Sequence, residues 1–197
     1  MSHYTALTNV QFLLTETTLT AQEREAGQSW EQLRQAAREA RLYGPGKANS
    51  QLTIFSAVKR RLSAARPEHV TLLATGSLEQ RQLVNLALVT TQKRLLLEFI
   101  GEVLVAKWNR LEREVTDADA RNFLGHKAEQ VPEVNAWTPE TVQKTRGNLT
   151  RFLQDAGLLR ERTRGTYDIL PQYLTPATAA AVGEIHPYLL PLLENLK

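Results

Sequence analysis

Residues 138–170 read "TPETVQKTRGNLTRFLQDAGLLRERTRGTYDIL", and this stretch decides the fold. Thr138 is a favourable N-cap and Pro139 a favourable first helical residue, so a helix is predicted to begin at Pro139. Gly157 is typical of the residue just beyond a helix end. The following "LLRERTRGTYDIL" alternates roughly between apolar and polar residues and has turn residues at "TRGT", which predicts a β-hairpin. Helix, glycine and basic hairpin follow one another in the order of a winged helix.

The predicted helix has an apolar and a polar face when about 100° is allowed per residue. The apolar face holds Val142, Leu149, Phe152, Leu153 and Ala156. The polar face holds Gln143, Lys144, Gly147, Arg151 and Gln154. Amides and cations suit base edges and phosphates. Candidate DNA contacts are therefore Gln143, Lys144 and Arg151 on the helix and Arg160, Arg162 and Arg164 on the wing. The alternative is a helix and hairpin packed on a bundle, with solvated arginines.

A second candidate surface lies upstream. "SWEQ" at 29–32 has the form of a capping box and predicts a helix to about residue 42, and "YGPGK" at 43–47 cannot continue it. A third helix is predicted from Asn49 to Ser63. This pair, spanning 29–63, resembles a helix-turn-helix. Its candidate DNA contacts are Lys47, Asn49, Thr53, Lys59, Arg60 and Arg61. A helical hairpin with a solvated basic face is an equally open interpretation.

Charge is distributed unevenly along the chain, although the net charge is only +3. Residues 34–66 carry eight bases and one acid, a local +7. Residues 111–140 carry seven acids and three bases, and residues 138–164 carry six bases and three acids. Clustered cations rather than net charge favour binding to a polyanion, because neutralised phosphates release their counterions.

The rest of the chain also has a helical pattern. Helices are predicted at Asn9 to Ala26, Pro67 to Gly76, from the "SLEQ" capping box at 77–80 onwards with a break near Thr90 or Gly101, from Thr116, and twice near the C-terminus. "EQVPEVNAW" is expected to be extended or looped. We therefore predict a mainly α protein with a helical domain at 1–110, a winged-helix-like domain at 111–170 and packed C-terminal helices at 171–197.

Several classes of function are disfavoured. The chain has no cysteine, which excludes disulfides and fits a cytoplasmic location. Its longest uncharged runs are 15 residues, too short for a membrane span of about 20 apolar residues. The four histidines have no partners at metal spacing, and "GPGK" at 44–47 lacks the phosphate-loop spacing. We expect that the protein is not an enzyme, binds no cofactor or metal, and has no membrane partner.

Four segments resemble the BrxA family of bacteriophage exclusion (BREX) defence systems: "GPGKANSQLTIFSAVKRRL", "LEFIGEVLVAKW", "DADARNFL" and "WTPETVQKTRGNLTRFLQDAGLL". The resemblance covers roughly Thr8 to Leu159. It implies a small helical accessory protein with helix-turn-helix or winged-helix elements that binds double-stranded DNA. It also implies partners, namely a methyltransferase, an ATPase and a phosphatase-like protein.

Three hypotheses for function follow. The first is a non-catalytic double-stranded DNA-binding protein of phage defence that binds mainly through phosphates. The second is an adaptor that docks a larger enzyme of the same system without contacting DNA. The third is a transcriptional regulator, which a preference for one promoter sequence would distinguish.

Overall fold

The computed structural model describes residues 4–8 and 11–197. The helices of the N-terminal part are α1 (Leu14–Glu25), α2 (Trp30–Arg38), α3 (Ala48–Leu62), α4 (Pro67–Thr75) and α5 (Leu78–Thr90). A continuous helical rod follows, made of α6 (Arg94–Phe99), a π-helical segment (Ile100–Val105) and α7 (Ala106–Asn109). The remaining elements are β1 (Glu114–Thr116), α8 (Asp117–Gln130), α9 (Pro132–Asn135), α10 (Pro139–Asp155), β2 (Leu159–Thr163), β3 (Thr166–Ile169), α11 (Pro176–Ile185) and α12 (Leu189–Glu194).

Local capping chemistry sets the helix starts, as the sequence predicted. The Ser29 and Ser77 side chains accept hydrogen bonds from the main chain three residues on, and both capping boxes are complete. Thr116 and Thr138 cap α8 and α10 in the same way, with Pro139 in the first turn of α10. These caps satisfy main-chain donors that a helix start leaves free.

The three strands form one antiparallel sheet in the order β1-β3-β2. The predicted hairpin is β2–β3, and its turn contains Gly165 at φ 76°. Strand β1 was not predicted from the sequence; Val115 pairs with Tyr167, and both side chains are buried. The sheet thus ties the segment before α8 to the hairpin after α10.

Three predicted boundaries were wrong. The first helix begins at Leu14 rather than Asn9: residues 11–13 are not helical, Leu13 is left-handed at φ 53°, and positions 9 and 10 lie outside the described residues. The second helix ends at Arg38, and Ala40 is left-handed at φ 57°. The segment at 132–135 is a helical turn, because Pro132 stands at the first helical position and only Val131 before it is extended.

The predicted break near Thr90 is confirmed, since residues 91–93 separate α5 from α6. Gly101 does not break the rod, which passes it in the π-helical segment. Among the described residues, no helix has both the length and the apolar character needed to cross a membrane.

The main hydrophobic cluster joins Leu7 and Phe12 of the N-terminal segment to buried side chains between Leu83 and Leu196. Phe99 and Phe123 meet edge-to-face within it, at 5.1 Å between ring centroids, and join the rod to α8. Two smaller clusters lie beneath α3, one shared with α1, α4 and α5 and one shared with α2. The division into domains at residues 110 and 170 stays a prediction.

Candidate nucleic-acid interface

Helix α3 presents most of the predicted upstream contacts to solvent. Lys47, Asn49, Thr53, Lys59 and Arg60 are all exposed. The Lys59 ammonium lies 5.7 Å from the centroid of a Trp30 ring, which orients it without neutralising its charge. The Thr53 hydroxyl donates to the main-chain oxygen of Asn49 at 2.9 Å, so its oxygen is left as an acceptor.

Arg61 is placed differently, and the prediction that it contacts DNA is corrected by its burial. Only 5% of the residue is exposed, and its guanidinium donates to the main-chain oxygens of Phe12 at 2.6 Å and Gln11 at 2.7 Å. Asn85 donates to the same Phe12 oxygen at 2.9 Å. Burial, and secondarily the charge of Arg60, lowers the pKa of Arg61 to about 10, so it stays protonated at neutral pH. It fastens residues 11–12 to α3 and does not reach a phosphate outside.

Helix α10 has the two faces that its periodicity predicted. Leu149, Phe152 and Leu153 are buried, whereas Gln143 and Lys144 are exposed. The Lys144 ammonium lies 2.8 Å from a Glu140 carboxylate oxygen one turn earlier, in an exposed pair worth a few tenths of a kcal/mol at most, which a phosphate can displace.

Arg151 is exposed on the same helix and lines a cavity of about 790 Å³ together with Gln82 and Asp155. Burial raises the pKa of Asp155, and the positive charge of Arg151 acts against that rise. Arg151 therefore borders a recess and does not lie on a flat surface.

The wing arginines are largely neutralised within the sheet. Arg160 lies 3.2 Å from Asp168, and Arg162 lies 2.5 Å from Glu114 on β1 and 3.8 Å from Asp168. Arg164, at the turn, makes no ion pair within the described residues. The ion pair with Glu114 could not be predicted from the sequence because it depends on strand β1, whereas Asp168 faces Arg160 within the predicted hairpin.

The N-terminal segment joins the two predicted surfaces. The main-chain N–H of Leu7 donates to the buried Thr145 hydroxyl of α10 at 3.2 Å, and the Asn148 amide donates to the Leu7 oxygen. Further along, residues 11 and 12 accept hydrogen bonds from Arg61 and Asn85. The segment thus links α10 to α3 and α5 through its main-chain polar groups.

A second cavity, of about 340 Å³, opens beside α3. It is lined by Arg60 and by Lys93, a residue that the sequence analysis did not select. Lys93 lies in the break between α5 and α6, 33 positions from Arg60, so no local pattern relates the two. Gln11 and Leu13 border both cavities. The N-terminal segment therefore lies between the cavity that Arg60 lines and the cavity that Arg151 lines.

Metal-binding geometry does not arise in the described part of the chain, where no three His, Asp or Glu side chains come together as a ligand set. The Asp119 carboxylate, one of an acidic pair at the start of α8, is used locally. It accepts from the Thr116 main chain at 2.7 Å and lies 3.1 Å from the Lys107 ammonium.

The fold and these surfaces define a mainly helical protein with a small antiparallel sheet and cationic faces on two helices. The family model of BrxA matches residues 1–185, and the chain belongs to the BrxA family. The family that the sequence motifs indicated is therefore confirmed.

Two further proteins are similar to this chain. A Bacillus cereus (strain H3081.97) protein named "BREX protein BrxA" is 29% identical over 109 residues, which are 55% of this chain and 54% of that protein. The chain thus spans about half the length of the curated relative it matches. A crystal structure of an uncharacterized protein from Magnetospirillum magneticum has a TM-score of 0.74 and 17% identity, and the match covers 95% of each chain. That likeness supports the fold alone.

Proposed function

We propose that this protein is a non-catalytic double-stranded DNA-binding component of a BREX phage-defence system and acts in the cytoplasm. Membership of the BrxA family and the name of the Bacillus cereus relative support the defence role. The observation that carries DNA binding is the exposed cationic face of α3. Lys47, the N-cap residue of α3, and Lys59 and Arg60 in its last turn are exposed and have no carboxylate partner within the described residues.

The proposal includes a winged helix. Its support is the order of elements: helical rod, β1, α8, α10, β2 and β3, with β1 on the far side of β3 from β2. A winged helix has this connectivity, and its last helix before the hairpin enters the major groove. That helix here is α10, whose exposed side carries Gln143, Lys144 and Arg151.

Ion pairing determines which of these surfaces can contribute cations to phosphate binding. The three strands and the β2–β3 turn together carry three arginines, one of them Arg164 in the turn, and three acids, Glu114, Glu161 and Asp168, so this region is close to neutral. The phosphate contacts therefore come from α3, α10 and Arg164. Helix α2 followed by α3 supplies the helix-turn-helix-like pair, and the wing contributes shape and one cation.

Duplex titration by fluorescence anisotropy tests this proposal. The double variant Lys59→Gln/Arg60→Gln should weaken binding and reduce the salt slope by roughly two phosphate contacts, or about 1.8. The control is Arg160→Gln/Arg162→Gln, which removes the same charge from residues that carboxylates already neutralise, and it should have the smaller effect. Equal losses in the two double variants would contradict the assignment of the surface.

An adaptor is the second candidate, favoured by apolar surface near the C-terminus. Tyr173 and Tyr188 are 78% and 75% exposed, and exposed aromatics are common at protein interfaces. The partners in this case would be the methyltransferase, the ATPase or the phosphatase-like protein of the system. Co-purification that is lost in Tyr173→Ala/Tyr188→Ala, with no duplex binding near physiological salt, would favour it. A transcriptional regulator would instead prefer one promoter over random duplex.

A further inference from the structure

The cavity beside α3 combines three cations with an apolar wall. Arg60 and Lys93 line it at the surface, and Arg61 lines it from within the fold. Among the residues that the structure describes, no aspartate or glutamate belongs to its lining. Like charges gathered in a concave, partly desolvated site repel one another more strongly than they would in bulk water. Binding of an anion in this cavity would therefore relieve the repulsion among the three cations.

The surroundings of Lys93 also favour binding of an anion. Burial lowers the pKa of Lys93, and the charges of Arg60 and Arg61 lower it further. Its ammonium donates to the Thr5 hydroxyl at 3.1 Å, which is a neutral partner. Glu16 acts on the charge of Arg61 but does not line this cavity. The repulsion is left uncompensated on the side that opens to solvent.

The remaining lining indicates the class of anion. Leu13, Ile54 and Val89 supply an apolar part of the lining, which is called the apolar wall, and Ser50 and Gln92 add polar groups. A bare inorganic anion would leave the apolar wall in water, whereas a phosphate attached to a sugar or a base covers it. A volume of about 340 Å³ is at the small end of the range for small-molecule sites.

We propose that this cavity binds a nucleotide phosphate, carried either by the DNA backbone or by a free nucleotide. Arg60 and Lys93 hold the phosphate, and the wall formed by Leu13, Ile54 and Val89 covers its sugar or base. The DNA source rests on the proposed function, because Arg60 also belongs to the exposed face of α3. The free-nucleotide source is independent of it.

Calorimetric titration of the full chain with thymidine 5′-monophosphate tests the free-nucleotide source, with inorganic phosphate and thymidine as partial ligands. The monophosphate should bind more tightly than either part. Lys93→Gln and Arg60→Gln should each weaken it at least ten-fold. The matched control is Lys59→Gln, because Lys59 adjoins Arg60 on the same helix but lies beside Trp30 and outside the cavity.

Thermal stability separates loss of the ligand from loss of the fold. Removing one of three mutually repelling cations should leave the Tm of Lys93→Gln equal to that of the wild type or above it. Phosphate should raise the wild-type Tm more than chloride at matched ionic strength, and Lys93→Gln should lose this difference. A variant that melts earlier in every buffer would instead give Lys93 a structural role and count against the proposal.

Duplex titration of the same variants identifies the source. If thymidine monophosphate does not bind but Lys93→Gln weakens duplex binding at least five-fold more than Lys59→Gln does, the phosphate is that of DNA. If the wild type binds duplex and Lys93→Gln alters neither titration, the proposal is overturned while the proposed function stands. If thymidine monophosphate binds through Lys93 but duplex does not bind, the proposed function fails and the nucleotide site stands.

Discussion

Arg60 and Arg61 are neighbours in sequence with opposite roles in the fold, and a pair of alanine variants separates them. Arg61→Ala removes two charge-assisted hydrogen bonds, at 2.6 and 2.7 Å, so the Gln11 oxygen loses its arginine donor while the Phe12 oxygen keeps the bond from Asn85. Bonds to charged groups contribute about 1.5–3 kcal/mol each. Removing a cation also relieves its repulsion with Arg60. The net expectation is a loss of about 3 kcal/mol in the free energy of unfolding, within the range seen when a buried network is broken.

Urea denaturation followed by circular dichroism measures this difference. In a chain of this size a loss of about 3 kcal/mol corresponds to a Tm lower by roughly 6–12 °C. Arg60→Ala, an exposed change on the same helix, should lie within about 0.5 kcal/mol of the wild type. Equal stabilities of the two variants would refute the role of Arg61 in fastening the N-terminal segment, and with it the reason for leaving Arg61 out of the DNA surface.

Three other predictions concern the stability of the fold. Lys127→Met should lower the unfolding free energy by about 1.5–3 kcal/mol in urea melts, because Glu98 and Glu102 lose the ammonium that lies 2.8 and 2.6 Å away, although Glu98 keeps its bonds from Tyr4 and Arg94; an unchanged midpoint would contradict this. Gly157→Ala should lower the free energy of unfolding by about 1–2 kcal/mol, since φ is 75° and a Cβ would lie 2.8 Å from a Gln82 oxygen. Gly147→Ala should raise it by about 0.5–1 kcal/mol, because a Cβ there meets nothing within 4 Å. A higher Tm for Gly157→Ala than for Gly147→Ala would refute these two roles. Burial lowers the pKa of His186, so the unfolded chain binds that proton more readily and stability should fall as pH drops from about 7 to 5; His186→Gln should flatten this dependence, and an unaltered slope would argue against it.

Local chemistry in the sequence was enough to predict most helix starts and the hairpin. A Ser or Thr cap with a partner three residues on is satisfied within one turn, so Ser29, Ser77, Thr116 and Thr138 act independently of the rest of the fold. The turn at Gly165 is local in the same sense.

Features that depend on distant partners could not be predicted in this way. Strand β1 is three residues long and exists because it pairs with β3, some fifty positions later. Glu114 approaches Arg162 only once β1 joins the sheet, so this ion pair could not be predicted, whereas Asp168 lies within the predicted hairpin.

The role of Arg61 was mispredicted because a helix boundary and a distant contact were both missed. Arg61 was grouped with Lys59 and Arg60 as a DNA contact, and the first helix was predicted to start at Asn9. That helix would have used the carbonyl groups of residues 11 and 12 for its own hydrogen bonds. In the structure α1 starts at Leu14, so these carbonyl groups are available to the side chains of Arg61 and Asn85. A boundary misplaced by a few residues thus changed the interpretation of an arginine about fifty positions away.

The central claim, duplex binding through phosphates, is tested most directly by the salt dependence of wild-type affinity for a labelled random duplex. The exposed cations of the proposed surface are Lys47, Lys59, Arg60, Lys144, Arg151 and Arg164. If all six contact phosphates, a plot of log K against log salt should have a slope of about −5 to −6. Binding that is absent at about 50 mM salt, or that does not change with salt, would contradict the claim.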